Sequence, residues 1–394
     1  MKPARLGGAP AFADPLPLIR PALPANERVL PRLGAVLDTG LITNGVQVRA
    51  FEERVAAYLG VEHVVAVSNC TTGLMLLLRV LELRGGVVVP SFTFMASGHA
   101  VRWNGLPILF ADSDPLTCTA DVASVEEAAG RGAAAILATH TYGAPCDVDG
   151  LAKVAERTGA ALLFDAAHGF GARYADGTMI GGKGLAEVFS LSPTKTLTTG
   201  EGGLITTADA DLARSLRVAR EYGNPGDYDA VLLGLNGRLT ELAAVLGVEA
   251  LGEFPRWLDR RLALVERYRA GLTAVPGVGF QHVPEGARSS YKDFAIRVGD
   301  EFGLGRDELA ECLRREGIAS RPYFNPPLHR QTVYADVANP GDLPGTDELA
   351  RTMLTLPLSA HLDDEVVDRV CDAIRRIHTH AEEIGAHLRA GGRR

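Results

Sequence analysis

The chain has 394 residues, of which 46% are hydrophobic and 22% are charged, so it is long enough for two domains and a large buried core. Its formal net charge of -8 at pH 7 argues against a nucleic-acid partner, which would require a basic face. The five cysteines are odd in number and form no CxxC pair, which favours neither a disulfide framework nor a zinc site and fits a reducing cytoplasm. We therefore expect a cytoplasmic protein without a metal site.

The first segment, residues 1–40, is rich in Pro, Gly and Ala. It predicts an arm that lies on the surface or on a partner, with a short helix over residues 27–37. The segment lacks the apolar core of a signal peptide, and no run in the chain reaches the ~18 apolar residues of a membrane span. No membrane partner is expected. Apolar residues with helical spacing follow over residues 46–59.

Strands and helices then alternate up to residue 208, a pattern typical of a wound parallel sheet. Strands are predicted over residues 64–67, 86–90, 108–111, 134–139, 161–165, 188–191 and 204–207. The helices between them are predicted over residues 72–83, 97–104, 122–129 and 149–158. The sequence therefore predicts an α/β fold with a mostly parallel, seven-stranded sheet.

The pattern changes after residue 208. Helices are predicted over residues 209–222 and 239–272, strands over 292–298 and 319–324, and a closing helix over 365–386. The long helix is the natural bridge to a smaller α+β domain. We expect an N-terminal arm over residues 1–40, a large domain over 41–254 and a small domain over 255–394.

Residues 189–203, FSLSPTKTLTTGEGG, contain the lysine best suited to covalent chemistry. An apolar run ends at Ser192 and Pro193, which predicts that Lys195 lies at the carboxyl end of a strand, where open α/β sheets bind ligands. A partly desolvated amine loses its proton more readily and becomes a nucleophile that can form a Schiff base. Only five of the 40 basic residues are lysines, so lysine is not the general solvating cation of this chain. A lysine on a surface loop is the alternative.

A carboxylate ends the strand predicted over residues 161–165. The sequence ALLFDAAH places Asp165 at the same sheet edge as Lys195, where an acid is costly unless it meets a cation. If Lys195 held pyridoxal phosphate, an acid facing the pyridine nitrogen would be required, because the protonated ring is the electron sink. Asp165 is the candidate for that acid. A helix cap is the alternative.

Three motifs, FDAAH, FSLSPTK and GEGG, resemble in order and spacing those of the DegT/DnrJ/EryC1/StrS family of pyridoxal-phosphate-dependent nucleotide-sugar aminotransferases. The resemblance covers residues 42–368. It implies the three-layer type I fold of aspartate aminotransferase and pyridoxal 5'-phosphate as cofactor. It also implies that Lys195 holds the cofactor and acts as general base, that Asp165 faces the ring nitrogen, and that two chains of a homodimer build each active site.

The resemblance implies a phosphate site where VSNCTTG, residues 67–73, opens a helix. Amides at the positive end of a helix dipole bind phosphate well, and Thr71, Thr72 and Ser190 are the expected side-chain ligands. This chain departs from the family by having Cys70 and Thr71 where the family has Gly and Thr. A plain Ser/Thr cap explains the local sequence equally well.

Two further residues match family residues near the cofactor ring. In PSFTFMAS, residues 90–97, Phe94 takes the place of the aromatic residue that stacks on the ring, although an aromatic residue after a strand is more often part of the core. His168 takes a position, Gln or His in the family, that approaches the ring hydroxyl. A hydrogen-bonded structural histidine is the alternative.

The resemblance extends to two later segments. In LGLNGRLTE, residues 233–241, Asn236 matches an asparagine that reaches the neighbouring subunit's cofactor phosphate, although it could also cap a helix. Arg238 follows it, and Gly237 replaces the usual aromatic residue. In SRPYFNPPLH, residues 320–329, Tyr323 and His329 match a segment near the sugar nucleotide. We expect both of them and Arg238 to contact the substrate.

The resemblance implies transfer of an amino group from L-glutamate to a keto-sugar on a nucleoside diphosphate, which yields an amino-deoxysugar of the kind used in antibiotics or surface polysaccharides. His168 favours amination at C-4, because family members that act there often carry His whereas C-3 enzymes commonly carry Gln. The expected acceptor is therefore dTDP-4-keto-6-deoxyglucose, and a C-3 aminotransferase is the alternative. A non-catalytic regulator on the same fold should lack Lys195 or Asp165, and both are present.

Overall fold

Two sheets of different size organise the chain in the computed structural model, which describes residues 2–337 and 341–391. The strands are β1 (His63–Val67), β2 (Gly86–Pro90), β3 (Ile108–Ala111), β4 (Ala133–Thr139), β5 (Ala161–Asp165), β6 (Ala186–Ser190), β7 (Gly203–Thr207), β8 (Val278–Phe280), β9 (Phe294–Val298) and β10 (Met353–Leu356). The helices are α1 (Asn26–Thr39), α2 (Val46–Leu59), α3 (Cys70–Val80), α4 (Met95–Trp103), α5 (Val122–Ala129), α6 (Val148–Thr158), α7 (Ala210–Ala219), α8 (Glu241–Leu272), α9 (Arg306–Arg315), α10 (Pro344–Thr352), α11 (Asp364–Thr379) and α12 (Ala381–Gly391).

The larger sheet has the strand order β1-β7-β6-β5-β4-β2-β3. Strand β7 runs antiparallel to both of its neighbours, and the other strand pairs are parallel. Nearly every residue of these strands is buried, as expected for a sheet that helices cover on both faces. The prediction of a mostly parallel, seven-stranded sheet is confirmed.

Helices cover both faces of this sheet and complete a three-layer arrangement. One face packs against α3, α4 and α7 through a cluster that includes Leu74, Val101 and Leu216. The opposite face packs against α2 and the first half of α8, which bury Phe51 and Val248, and against α5 and α6. The helical layers leave the carboxyl ends of the parallel strands together at one edge.

A second core surrounds the smaller antiparallel sheet, which has the order β10-β9-β8. The second half of α8 packs there with α9 and α11, and Tyr268 stacks on Phe294 with 4.8 Å between ring centroids. Helix α8 therefore runs from one core to the other, and the predicted boundary between residues 254 and 255 falls inside it. The division into 1–40, 41–254 and 255–394 stays a prediction. No helix of the described residues is long and apolar enough to cross a membrane.

The N-terminal arm packs against the second core. The buried Phe12 belongs to that cluster, and its amide donates to the Glu316 carbonyl at 2.9 Å. The side chain of Glu316 is fully buried and accepts hydrogen bonds from the amides of Ala4 and Ala11 at 2.8 and 2.7 Å. It also pairs with Arg376 at 3.0 Å. A single buried carboxylate thus fastens the arm in two places.

Two predictions for the C-terminal part are wrong. Residues 319–324 form no strand, and Arg321 instead makes one isolated bridge to Thr355. The reason is Pro322, which lacks the N–H group that a strand needs to continue its ladder. The helix predicted over residues 365–386 is two helices, α11 and α12, which meet at His380.

Replacing Glu316 by Ala should release the N-terminal arm. The change removes the buried acceptor of two backbone amides and takes this partner from the partly buried Arg376, so we expect the free energy of unfolding to fall by about 3 kcal/mol. Urea unfolding measures this loss, and limited proteolysis should cut the arm faster. Glu301→Ala, at an exposed glutamate near the same core, serves as the control. Equal stability of the two variants would contradict the assigned role of Glu316.

Candidate active site

The carboxyl ends of β4, β5 and β6 border a cavity of about 610 Å³. It also reaches the loop that precedes β9, so residues near both sheets form its walls. Several of the predicted site residues line it, namely Thr71, Phe94, Asp165, His168, Ser190, Lys195 and Tyr323. The fold therefore collects groups that lie up to about 250 positions apart in the chain into one chamber.

Lys195 lies in the loop after β6, where its amide donates to the Ser192 carbonyl at 3.0 Å. The side chain keeps contact with the cavity, but the surrounding protein withdraws its amine from bulk water. This desolvation, followed by the positive charge of Lys292, lowers the pKa of Lys195 to about 8, and nearby acidic groups oppose the shift. The amine is thus brought much closer to its free-base, nucleophilic form at neutral pH.

Lys292 and Asp293 form a buried ion pair in the wall of the same cavity. The two Nζ–oxygen distances are 3.0 and 2.9 Å, and both side chains are almost fully shielded from solvent. The ammonium group of Lys292 also lies over the Tyr323 ring, 5.5 Å from its centroid. The pair directly precedes β9, so the second sheet supplies the positive charge that acts on Lys195.

Asp165 ends β5, and its side chain is buried. The Ser97 hydroxyl donates to Oδ2 at 2.6 Å, and the Ala167 amide donates to Oδ1 at 3.0 Å. These two donors fix the orientation of the carboxylate. Each oxygen still has a lone pair that could accept a further donor from the cavity.

The His168 ring is held in one tautomer. The Tyr142 amide donates to Nδ1 at 3.1 Å, so Nδ1 carries no proton and the neutral ring carries its hydrogen on Nε2. Burial, reinforced by the charges of Lys195 and Lys292, holds the pKa of His168 well below its usual value. The ring stacks on Phe324 with 6.2 Å between centroids. His168 therefore offers a neutral N–H donor.

The end of the cavity beside α3 presents hydrogen-bond donors. The Asn69 side chain caps this helix by accepting the Thr72 amide at 2.8 Å. The amides of Cys70 and Thr71 precede that capped position, at the positive end of the helix dipole, where helix geometry provides no intrahelical acceptor. Ser190, the last residue of β6, adds a hydroxyl to the lining. This donor set suits an anion.

Aromatic side chains form another part of the cavity wall. Phe94 is 48% exposed, lines the cavity, and lies with its ring centroid 6.4 Å from that of Phe324. The Tyr323 ring borders the same space, and its backbone carbonyl accepts a hydrogen bond from the Tyr142 hydroxyl. A large aromatic side chain left open to a cavity has a face available for a planar ligand.

Two predicted residues, Thr72 and His329, do not line this cavity. The Thr72 amide is used by the Asn69 cap, and the phosphate contact predicted for its hydroxyl stays a prediction. His329 Nδ1 is hydrogen-bonded to the Ser91 hydroxyl at 2.7 Å, and Nε2 lies 3.5 Å from an Asp347 oxygen. Its ring therefore ties β2 to α10.

Asn236 and Arg238 also lie outside the cavity of their own chain. The backbone of Asn236 bridges to Glu221, and its side chain is exposed. Arg238 pairs with Glu221 at 2.9 Å and lies over the Tyr222 ring at 5.4 Å from its centroid. It lines a second depression, of about 510 Å³, which shares Glu201 with the first cavity. Neither residue can act on this chain's cavity in this arrangement.

The model of the DegT/DnrJ/EryC1/StrS aminotransferase family matches residues 25–375. The chain belongs to this family. It is 29% identical to the dTDP-4-amino-4,6-dideoxy-D-glucose transaminase of Escherichia coli, over 90% of this chain and 96% of that protein. It is 36% identical to the dTDP-3-amino-3,4,6-trideoxy-alpha-D-glucose transaminase of Streptomyces venezuelae, over 87% of this chain and 90% of that protein. The crystal structure of DesI in the presence of its TDP-sugar product matches with a TM-score of 0.93 and 37% identity, over 98% of each chain.

These similarities confirm the family and the type I α/β fold expected from the motifs. As a DegT/DnrJ/EryC1/StrS aminotransferase, the protein is a pyridoxal-phosphate-dependent enzyme that acts on nucleotide sugars. The relatives differ in the carbon that carries the amino group. Family membership therefore establishes the reaction class and leaves the sugar to other evidence.

The donor set of the cavity fits pyridoxal phosphate. The cofactor's aldehyde requires a reactive amine, which Lys195 supplies, and its pyridine nitrogen requires an oriented carboxylate, which Asp165 supplies. Its phosphate requires an anion site, which the start of α3 and Ser190 provide. Its planar ring requires an open aromatic face, which Phe94 offers. Among the described residues no cluster of acidic, His and Cys side chains suits a metal ion.

Sequence reasoning missed several residues of this family member's site. Thr93 and Ser97 lie in the PSFTFMAS segment, where only Phe94 was assigned, and Thr139 ends a predicted strand. A strand end at the ligand-binding edge was the available signal for Thr139. For Lys292 the signal was the scarcity of lysine, since it is one of only five. Asp293 follows it directly.

The lowered pKa of Lys195 predicts how its reactivity depends on pH. In the cofactor-free protein, labelling of Lys195 by a small amine-reactive reagent should rise as pH increases through about 8, because the free base reacts. Lys292→Gln removes a positive charge and leaves Asp293 unpaired, so the pKa of Lys195 should increase and the midpoint should move to higher pH. Peptide mass spectrometry of Lys195 across pH 6–11 measures both midpoints.

Lys183→Gln is the matched control for this measurement, because Lys183 pairs with Asp176 at the surface. Its labelling curve for Lys195 should coincide with that of the unaltered protein. An unchanged midpoint in Lys292→Gln would show that burial alone determines the reactivity of Lys195.

Proposed function

We propose that the enzyme transfers the amino group of L-glutamate to C-4 of dTDP-4-keto-6-deoxyglucose and produces the 4-amino-4,6-dideoxy sugar. The observation that carries the proposal is the cavity in which Lys195, Asp165 and a neutral His168 meet. The thymidine nucleotide is supported by the two dTDP-sugar relatives and by the TDP-sugar complex of DesI. The product fits a deoxysugar pathway, including those of antibiotics.

The residues of the cavity divide the chemistry between them in this proposal. Pyridoxal phosphate, when bound, supplies a carbonyl carbon that exchanges amines and a ring that withdraws electrons. Lys195 would hold it and, as a free base, would remove and return the proton at the substrate carbon. Asp165 would accept the hydrogen of the ring nitrogen, and the Nε2–H group of His168 would donate to the ring oxygen. Phe94 would cover one ring face and exclude water.

Amination at C-4 is proposed from His168. An imidazole is bulkier and stiffer than a glutamine side chain, and this ring is fixed by the Tyr142 amide and by Phe324. A fixed ring beside the reacting centre limits the ways in which a hexose can turn over the cofactor. The C-3 alternative is represented by the Streptomyces venezuelae relative, so it remains the competing assignment.

We also propose a homodimer whose subunits share active sites. The exposed Asn236 does not line the cavity of its own chain. Large apolar side chains are exposed in the segment that precedes it and in and between α1 and α2, namely Leu30, Leu37, Leu41, Val46, Val231 and Leu233. Exposed apolar side chains that gather in a patch are typical of an interface. A twofold partner seated there would present its own Asn236 to the neighbouring cavity. Five buried free thiols fit the proposed cytoplasmic location.

The sugar specificity is tested by offering the 3-keto and 4-keto isomers of dTDP-6-deoxyglucose separately, with glutamate. We expect amination at C-4 only, with at least roughly a hundredfold preference in kcat/KM, a ratio that one or two directed contacts can supply. NMR of the product assigns the carbon. Lys195→Ala should lower turnover by ~1000-fold or more and is the blank. Amination at C-3 alone would reject the specificity and leave the reaction class intact.

Subunit sharing is tested by mixing two inactive variants. Asn236→Ala and Lys195→Ala chains should together recover up to about a quarter of the normal activity after subunit exchange, because half of the dimers are hybrids with one intact site. Lys195→Ala mixed with Asp165→Asn is the control, since both lesions affect the same chain's cavity and no intact site can form. If exchange is demonstrated and Asn236→Ala restores nothing, the residue does not act across the interface.

A further inference from the structure

Three buried hydroxyl groups connect β4 to Asp165. Thr139 Oγ1 lies 2.9 Å from Thr93 Oγ1, which lies 3.2 Å from Ser97 Oγ, and Ser97 Oγ lies 2.6 Å from Asp165 Oδ2. All four side chains are buried. Together they form a continuous chain of hydrogen bonds, called the hydroxyl chain below, that begins on one strand and ends on the neighbouring strand.

The direction of the hydroxyl chain follows from counting hydrogens. Each hydroxyl has one hydrogen to donate. Ser97 donates its hydrogen to the carboxylate, so Thr93 must donate to Ser97, and Thr139 must then donate to Thr93. Every hydroxyl hydrogen is used once, and each points toward Asp165.

The opposite direction fails at its far end. If every hydroxyl pointed away from Asp165 instead, the Thr139 hydroxyl would need a new acceptor. Among the described residues, Thr93 is the one hydrogen-bond partner of Thr139 Oγ1. A buried hydroxyl hydrogen without an acceptor is costly. The arrangement therefore favours the direction in which every hydroxyl points toward Asp165.

The fold holds the hydroxyl chain at both ends. Thr139 and Asp165 are register partners on β4 and β5, so their side chains leave the sheet on the same face. Thr93 lies between β2 and α4, and Ser97 lies in the first turn of α4. The hydroxyl chain therefore links the segment after β2, the first turn of α4, the end of β4 and the end of β5. None of its members can move away without breaking a hydrogen bond.

We propose that Thr139, Thr93 and Ser97 are positioning residues that orient Asp165 toward the ring nitrogen through a one-directional hydroxyl chain. The inference rests on the proposed role of Asp165. Hydrogen bonds aligned head to tail polarise one another, so the last bond, to the carboxylate, gains from the two before it. The effect of removing a hydroxyl should therefore decrease with its distance from Asp165.

The test measures the affinity of the cofactor-free, full-length protein for pyridoxamine phosphate, which binds without a covalent bond, by titration calorimetry. Ser97→Ala should raise the dissociation constant roughly ten- to a hundredfold, as expected for loss of a buried hydrogen bond to a charge. Thr93→Val should have a smaller effect, and Thr139→Val a smaller one again. Thr93→Ser restores the hydroxyl and should recover most of the affinity lost in Thr93→Val.

A double-mutant cycle with Asp165→Asn separates positioning from packing. Without the carboxylate the aligned hydroxyls have no charge to support, so Ser97→Ala should cost several-fold less in the Asp165→Asn protein. Thr206→Val removes a buried hydroxyl that bonds the Glu187 carbonyl on β6 and should leave the affinity unchanged. Thermal unfolding checks each variant, and if Ser97→Ala does not fold, the Thr93→Val and Thr93→Ser pair supplies the cycle.

The outcomes distinguish this inference from the proposed function. If Asp165→Asn weakens pyridoxamine phosphate binding but the hydroxyl variants act equally with and without the carboxylate, the hydroxyl chain is a packing feature and the inference is wrong. If Asp165→Asn itself leaves the affinity unchanged, the proposed role of Asp165 fails, and the inference fails with it.

Discussion

The burial of opposite charges at one edge of a parallel sheet is the constraint on which the active site depends. An ionised group withdrawn from water costs several kcal/mol unless hydrogen bonds or opposite charges compensate it. Asp165 receives two donors, from Ser97 and Ala167, and Lys292 receives the carboxylate of Asp293. Lys195 is compensated only weakly, so burial lowers its pKa to about 8. The same shielded environment thus supports an oriented acid and makes the neighbouring amine a better nucleophile.

The site also depends on contact between the two cores of the chain. Lys195 and Asp165 follow strands of the larger sheet, whereas Lys292 and Asp293 directly precede β9 of the smaller one. The charge that acts on Lys195 therefore comes from the second core. Helix α8 crosses from one core to the other, and the N-terminal arm is bound to the second core through Glu316 before it continues into α1. Helix α8 and the arm therefore both connect the second core to the rest of the chain.

Local patterns predicted the sheet, which the structure confirms, and they named Lys195 and Asp165, which line one cavity. They gave no sign of contacts between residues that are distant in sequence. Apolar runs and glycines are signals that can be read locally. In GEGG, for example, Gly203 is required because a Cβ there would lie 2.6 Å from the Asn69 carbonyl carbon. The charge of Lys292 acts on Lys195 from almost 100 residues further along the chain, and no local sequence pattern indicates that the two lysines lie near each other. Two adjacent threonines look alike in sequence, whereas in the structure Thr71 lines the cavity and the Thr72 amide is used by the Asn69 cap. The strand predicted over residues 319–324 could have been rejected from the sequence, because Pro322 interrupts it.

Regiochemistry lies beyond what fold similarity can decide, and energetics explain why. A hundredfold preference for C-4 over C-3 corresponds to about 2.7 kcal/mol, which is the worth of one or two hydrogen bonds. A TM-score of 0.93 measures how well the backbones agree. One side chain can change the preference for C-3 or C-4 without altering the backbone. Two relatives that act at different carbons, with 29% and 36% identity, illustrate the point. The decisive contacts must come from the few groups beside the hexose. In the proposed assignment His168 is one of these groups, and its ring is fixed by the Tyr142 amide and by Phe324. The proposed dimer would add groups of a partner subunit, so specificity would then be a property of the assembled cavity.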